Sequence, residues 1–366
     1  MSEINPEYID IHPLKKSRRV LLHFCDLFLN FFLALFFFSV IIFPVSRNIV
    51  GYDLNTSTIS ENQNRMTSFL FDNGLLEKEN KEDDFTTALT YSGKKFARMM
   101  VSKDTTGDYF RHYFLDLLAG SKEDYLSFYR NNDKSSYFDV TDEVSLKKEY
   151  QELLLPILDS KDTLSSKGET IYKKLYNSVF PNLYSALISD LLTNEKITSD
   201  SSLYLYRDLK NQNDGLENRN HWIISVDCYI AYTLASLIYF LLVPMLSRRG
   251  KTISMMALGY EKVGSDNLRV LKRKERILSF FFYFFFHLSL MIFLPMLFVE
   301  FAVLFSIPGL LTFTLVGLGL SIISFVYMFF DSLGRSLSDM LTKTCYIRKS
   351  DLEKLALLKG YKVDRA

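Results

Sequence analysis

Tryptophan occurs once in this 366-residue chain, cysteine three times and histidine five times. These shortages remove several kinds of chemistry. Cys25 and Cys228 fall inside apolar runs and Cys345 lies near the C-terminus. None falls between residues 47 and 221, so that long stretch is expected to fold without disulfides. The cysteine spacings fit no zinc motif. The sequence also has no phosphate-binding glycine loop, no recognisable nucleophile–base pair and no internal repeat. No metal, no cofactor and no enzymatic activity are expected. The formal net charge is only +1, and the charges divide by segment in a way that reports topology, so nucleic acid is not an expected partner.

Apolar residues are abundant, at 48% of the chain, with 32 Phe and 22 Tyr among them. Crossing a bilayer core of roughly 30 Å takes about 20 apolar residues of helix. Four runs qualify: Val20 to Val45, Trp222 to Leu246, Ile277 to Phe298, and Leu310 to Phe330. Buried helices of soluble proteins are seldom apolar on every face, yet FFYFFFHLSLMIFLPMLF (Phe281 to Phe298) is apolar almost all round. The first run leads into PVSRNIVGYD with no small-x-small cleavage site, so it reads as an anchor rather than a signal peptide. The expected fold class is an all-α membrane protein: four transmembrane helices with an inserted, mostly helical extracytoplasmic domain.

Charge sets the expected orientation, because Lys and Arg concentrate in short cytoplasmic segments. KKSRR (Lys15 to Arg19) precedes the first run. The loop from Ser247 to Arg276 holds nine basic residues against three acids, whereas Arg47 to His221 holds 22 against 28. The expected organisation is a cytoplasmic N-terminus (1–19), a first span (20–45), an extracytoplasmic domain (46–221), a second span (222–246), a basic cytoplasmic loop (247–276), third and fourth spans (277–330) and a cytoplasmic C-terminus (331–366). Expected partners are the bilayer itself and anionic headgroups against the basic loop. A membrane or extracytoplasmic protein and a second copy of the chain join them.

Within residues 46–221 the pattern is helical. Leu146, Tyr150, Leu153, Leu154 and Ile157 recur at three- and four-residue steps, which predicts an amphipathic helix with Asp142 as its N-cap and a kink at Pro156. NTSTISENQNR (Asn55 to Arg65) and RDLKNQNDGLENRNHW (Arg207 to Trp222) read as polar loops. Asp108, His112 and Asp116 stand four apart, on one face of a helix; the expectation is a histidine flanked by acids on a surface.

The first span carries Arg19, His23, Asp26 and Asn30 at steps of four, three and four, which places all four on one helical face. Asp26 lies about 10 Å inside the boundary, where ionisable groups face the bundle interior and find a partner. His287 would sit near the middle of the third span; Asp227 and Glu300 are shallower. Asp331, Arg335 and Asp339 follow the fourth span at four-residue spacing. Two readings stay open. Asp26 pairs structurally with an arginine, Arg335 or Arg273, or Asp26 and His287 bind or relay a cation or proton.

These segments together resemble the RDD family of bacterial membrane proteins. Arg19 and Asp26 match its R-x6-D opening. GKTISMMALGYEKV matches its glycine-rich segment through Gly250, Thr252, Gly259 and Val263, with Ser254 and Met255 where the family has glycine and lysine. Arg269 and Arg273 resemble its entry to the third span. Asp331 stands just ahead of the closing signature, which Arg335, Asp339 and Thr344 match. The likeness spans about residues 14–46 and 222–348 and leaves out the inserted domain. It implies a membrane protein and, by analogy with members linked to sodium–proton exchange, casts Asp26 as the cation or proton site; the candidate intramembrane polar or ion site read from the residues themselves is Arg19, His23, Asp26 and His287. Against that stands the large inserted domain, which suggests an accessory, scaffold or sensing component.

Overall fold

A computed structural model describes residues 14–158, 164–247, 249–265, 268–286 and 310–358. His287 and Glu300, both singled out above, lie outside the described residues. The chain divides into two compact units. One is made of Met1–Asn55 and Asn218–Ala366, and the other of Thr56–Glu217.

The first unit is built on two long helices. Helix α1 runs Lys16–Ile49 and α8 runs Tyr204–Leu246, and both are long and apolar enough to cross a membrane. Only 17% and 33% of their most apolar stretches are buried, unlike the core helix of a soluble protein, which would be mostly covered. Leu21, Phe24, Phe28, Phe32 and Phe36 face outward on α1, as do Trp222, Val226, Ile230 and Leu234 on α8. Between the helices lie small residues, Ala34, Cys228, Ala231 and Ala235, which let two backbones approach closely. Polar rungs join the same faces. Tyr239 donates to Asp26 (2.9 Å), Asn30 to Ser236 (3.1 Å), Ser46 to Asp227 and Asn55 to Asn220 (2.8 Å).

Helix α9 (Ile253–Leu258) follows α8 and ends at Gly259 with φ +73°, a left-handed cap that glycine adopts without penalty. Strand β3 (Tyr260–Gly264) comes next, then α10 (Arg273–Phe286), α11 (Leu310–Phe330), α12 (Leu337–Leu341), β4 (Thr344–Arg348) and α13 (Lys349–Leu358). Strands β3 and β4 pair antiparallel, with Lys262 opposite Tyr346 and Gly264 opposite Thr344. This ribbon corrects the all-α expectation. No periodicity announces it, because the two strands are far apart in sequence and both are buried.

The inserted unit holds α2 (Tyr52–Asp72, from Thr56 on), α3 (Phe85–Ser102), α4 (Lys122–Asn132), a hairpin of β1 (Phe138–Val140) and β2 (Val144–Leu146), α5 (Lys148–Leu154), α6 (Ser166–Lys174), α7 (Phe180–Thr193) and the start of α8. Its core is aromatic: Phe96, Phe110, Tyr129 and Phe180 are fully buried and meet edge to face or tilted. Gly93 of α3 is required by its neighbour, since a Cβ there would lie 2.9 Å from the Tyr176 carbonyl. Three expectations are corrected. Residues 55–65 and 207–222 are helical, not loops, and Asn62 Nδ2 donates a buried hydrogen bond of 3.0 Å to Asn213 Oδ1. Leu146 belongs to a strand, and helix α5 starts at Lys148 rather than being capped by Asp142.

Candidate functional site

Helix α1 presents the polar face that its spacing predicts. Arg19, His23, Asp26 and Asn30 are all buried, at 2%, 4%, 4% and 0% exposure. Their partners come from distant segments, and two separate arrangements result.

The first is a buried ion cluster on Asp339. Ser336 caps α12 and Asp339 completes the capping box, so the carboxylate is already fixed by the helix start. Its Oδ2 accepts from Arg19 Nη2 at 2.7 Å and from Ser336 Oγ at 2.8 Å, while Lys262 Nζ lies 2.8 Å from Oδ1. Lys262 also donates to Ser279 Oγ at 2.6 Å. The Tyr346 ring lies under Arg19, with the guanidinium carbon 3.7 Å from its centroid. The cross-strand register explains why Lys262 arrives there: it stands opposite Tyr346 on the ribbon. Burial works against charge on Asp339, but Lys262 and Arg19 outweigh it and hold the carboxyl well below the usual carboxylate range. Burial likewise opposes the Lys262 ammonium, and Asp339 raises it above the ordinary lysine value. The cluster therefore stays ionised.

The second arrangement surrounds Asp26. Its Oδ1 accepts from Tyr239 OH at 2.9 Å and from Thr252 Oγ1 at 2.8 Å. Thr252 is also the N-cap of α9, accepting from the Met255 N–H. Tyr239 shares a further bond with Ser254 Oγ at 2.9 Å. Asp26 thus takes two hydroxyl donors and no arginine. This corrects the expected pairing with Arg335 or Arg273. Arg335 closes back on Asp331 four residues away at 2.9 Å, and Arg273 is exposed. An arginine one turn away finds its local carboxylate before it can reach across the bundle. His23 lies edge to face with Tyr283, whose hydroxyl is 3.4 Å from Nδ1.

Several residues singled out by the resemblance therefore converge. Arg19 meets Asp339, Thr252 meets Asp26, and Thr344 donates to Asp339. Gly250, at φ +72°, packs beneath Arg276, where a Cβ would sit 2.6 Å from Nε. Gly259 is a helix cap. Arg269 is apart from the cluster, paired with Glu275. Sequence reasoning missed Lys262, Tyr239, Ser279 and Tyr346. Only their partners across the fold make them notable.

The basic loop is partly neutralised. Arg249 and Lys251 both reach the buried Glu261, at 2.9 and 2.6 Å, while Lys272, Arg273 and Lys274 remain exposed.

In the inserted unit, the expected Asp108–His112–Asp116 face divides. His112 joins Asp116 at 2.8 Å and the Asn73 carbonyl at 3.1 Å. Asp108 is fully buried instead. It accepts from Tyr125 OH (2.7 Å), Tyr129 OH (3.0 Å) and the Phe110 N–H (3.2 Å). Burial pushes its carboxyl up to about 6 despite these donors. No group of three or more His, Cys, Asp or Glu suited to a metal occurs among the described residues.

No protein-family model, curated protein or solved structure matches the chain.

Proposed function

We propose that the chain is a four-span membrane protein of the RDD type whose polar seam is structural, and whose inserted domain does its work as a surface-facing accessory, scaffold or sensing component. The observation that carries this reading is the buried Arg19–Asp339–Lys262 cluster. It ties the start of α1 to β3 and α12, so these charges act as a clasp between segments rather than as groups free to bind a solute. The exposed phenylalanines of α1 and α10, among them Phe28 and Phe281 at 62% and 60%, are where lipid would lie.

In this proposal α1 and the second half of α8 are the first two spans, α10 begins the third and α11 is the fourth. The clasp, the basic loop and both termini are cytoplasmic, and residues 46–221 are on the other side. Cysteine labelling in intact cells tests the topology. Cys345 is a poor reporter, because it is 4% exposed and burial pushes its thiol up to about 11. Probes belong at exposed Ser166 and Ser350 in a cysteine-free background. Ser166→Cys is expected to react with an impermeant reagent and Ser350→Cys only after permeabilisation. The reverse pattern would invert the model.

For the function, a photo-crosslinking residue placed at exposed Leu155 of the full-length protein in native membranes is expected to give a discrete protein adduct. Loss of that adduct on charge substitution of neighbouring Leu158 would map the contact to this surface. The absence of any protein adduct from Leu155, Phe85 or Leu205, three exposed apolar residues of this domain, would count against it.

One observation favours a second reading, cation–proton exchange through Asp26. The carboxyl lines a cavity and makes no ion pair among the described residues.

A further inference from the structure

Next to the clasp, the first unit has a half-open cavity whose inner part measures about 50 Å³, room for roughly four waters. Its lining is mixed. Phe240, Leu271 and Phe280 form an apolar side, Thr252 and Ser279 contribute hydroxyls, and Asp26, Lys262 and Arg276 contribute charge.

Those three charges are not equivalent. Lys262 is neutralised by Asp339. Asp26 is held by the hydroxyls of Tyr239 and Thr252, with Ser254 beside them, and is in no ion pair among the described residues. Among the described residues Arg276 donates to main-chain carbonyls, Nε to Leu271 and Nη1 to Pro244 and Ser247. Its acidic neighbour Glu275 is taken by Arg269. Among the described residues, the cavity is therefore walled by a carboxylate in no ion pair, with Arg19 acting on it only through space, and a guanidinium in no ion pair. Buried or half-buried charges normally carry a counter-ion, because desolvation without one is costly. A lone metal cation answers one wall and a lone anion the other.

We propose that the cavity binds a zwitterion, with a primary ammonium directed at Asp26 and a phosphate or carboxylate at Nη2 of Arg276, the guanidinium nitrogen that donates to no main-chain carbonyl among the described residues. Two sources share this chemistry. One is the headgroup of an aminophospholipid, whose chains would run out beside the exposed Leu246, Leu278 and Phe281. The other is a free small zwitterion. The lipid source rests on the membrane reading above, whereas the free source does not, so the two can fail separately.

The test measures the unfolding midpoint of purified full-length protein in detergent. Four additions are compared: short-chain phosphatidylethanolamine, phosphatidylglycerol of the same chain length, free O-phosphoethanolamine, and free glycine. A ligand that binds only the folded state raises the midpoint by several degrees at saturation. A rise with phosphatidylethanolamine alone assigns the lipid headgroup, and a rise with a soluble zwitterion assigns the free source. In either case phosphatidylglycerol, which lacks the ammonium, is expected to do little. Asp26→Asn and Arg276→Gln should each remove the rise. Because both residues also hold the fold, Leu271→Phe supplies an independent check: it fills the cavity, leaves both charges in place and should remove the rise from a folded protein. Equal rises from the ethanolamine and glycerol lipids, no rise with any addition, or a rise unchanged in Leu271→Phe would each overturn the proposal.

Discussion

Asp339→Asn is expected to cost about 3–5 kcal/mol of stability, the usual penalty for breaking a buried pair from one side. The carboxylate is fully buried and serves two cations at once, Arg19 and Lys262. An amide cannot neutralise either of them, and its NH2 would face a donor. Two positive groups would then be stranded in a buried site. Removing one of them should help, so Lys262→Met added to Asp339→Asn is expected to recover part of the loss. The two changes share a partner, and their interaction is expected to reach about 0.5–3 kcal/mol. Chemical unfolding of the purified protein in detergent measures both quantities. Strictly additive losses would show that the cluster does not act as a unit. The pH dependence has a definite sign. Because the folded Asp339 carboxyl is held low, its contribution is fully present above the ordinary aspartate value near 4 and is lost only as pH falls far below that. Between pH 5 and 8 the clasp should not loosen.

Asp108 should behave in the opposite way. Its folded carboxyl sits at about 6 against an ordinary value of 3.8, with burial as the leading cause. A raised acid contributes stability that is complete below the unfolded value and is lost as pH rises through the folded one. The shift of about two units corresponds to roughly 3 kcal/mol. Asp108→Asn stays neutral throughout and can keep the Phe110 and tyrosine contacts by rotation of the two hydroxyls. The stability of the native protein relative to this variant should therefore fall by about 3 kcal/mol between pH 3 and pH 7. Hydrogen exchange over residues 104–132 reports this locally. A difference that does not change with pH would contradict the account.

The contrast between these two carboxylates shows what the sequence could reveal. The 4–3–4 spacing on α1 announced a polar face, and the structure buries all four of its residues. The identity of each partner was not legible. Asp26 could have met an arginine on spacing and charge alone. It meets Tyr239 and Thr252 because α8 runs antiparallel to α1 and α9 starts at Thr252 beneath it. Lys262 gave no signal, because a lysine within a short buried strand follows no periodic rule and its role depends on pairing opposite Tyr346. Residues 55–65 and 207–222 misled for a related reason. Their helices are polar, so no apolar stripe marks them, and buried amide pairs such as Asn62–Asn213 take the place of hydrophobic contacts. Asp108 was seen, but as part of a surface face. Its burial depends on the tyrosines of α4, which no local pattern connects to it.

The measurement that bears most directly on the structural reading of the seam is cation-driven proton movement in vesicles reconstituted with purified full-length protein. A clasp with an accessory domain predicts a proton flux no greater than that of protein-free vesicles across a sodium or potassium gradient, in the native protein and in Asp26→Asn alike. Robust exchange by the native protein that disappears in a stably folded Asp26→Asn variant would contradict it and make Asp26 a transport site.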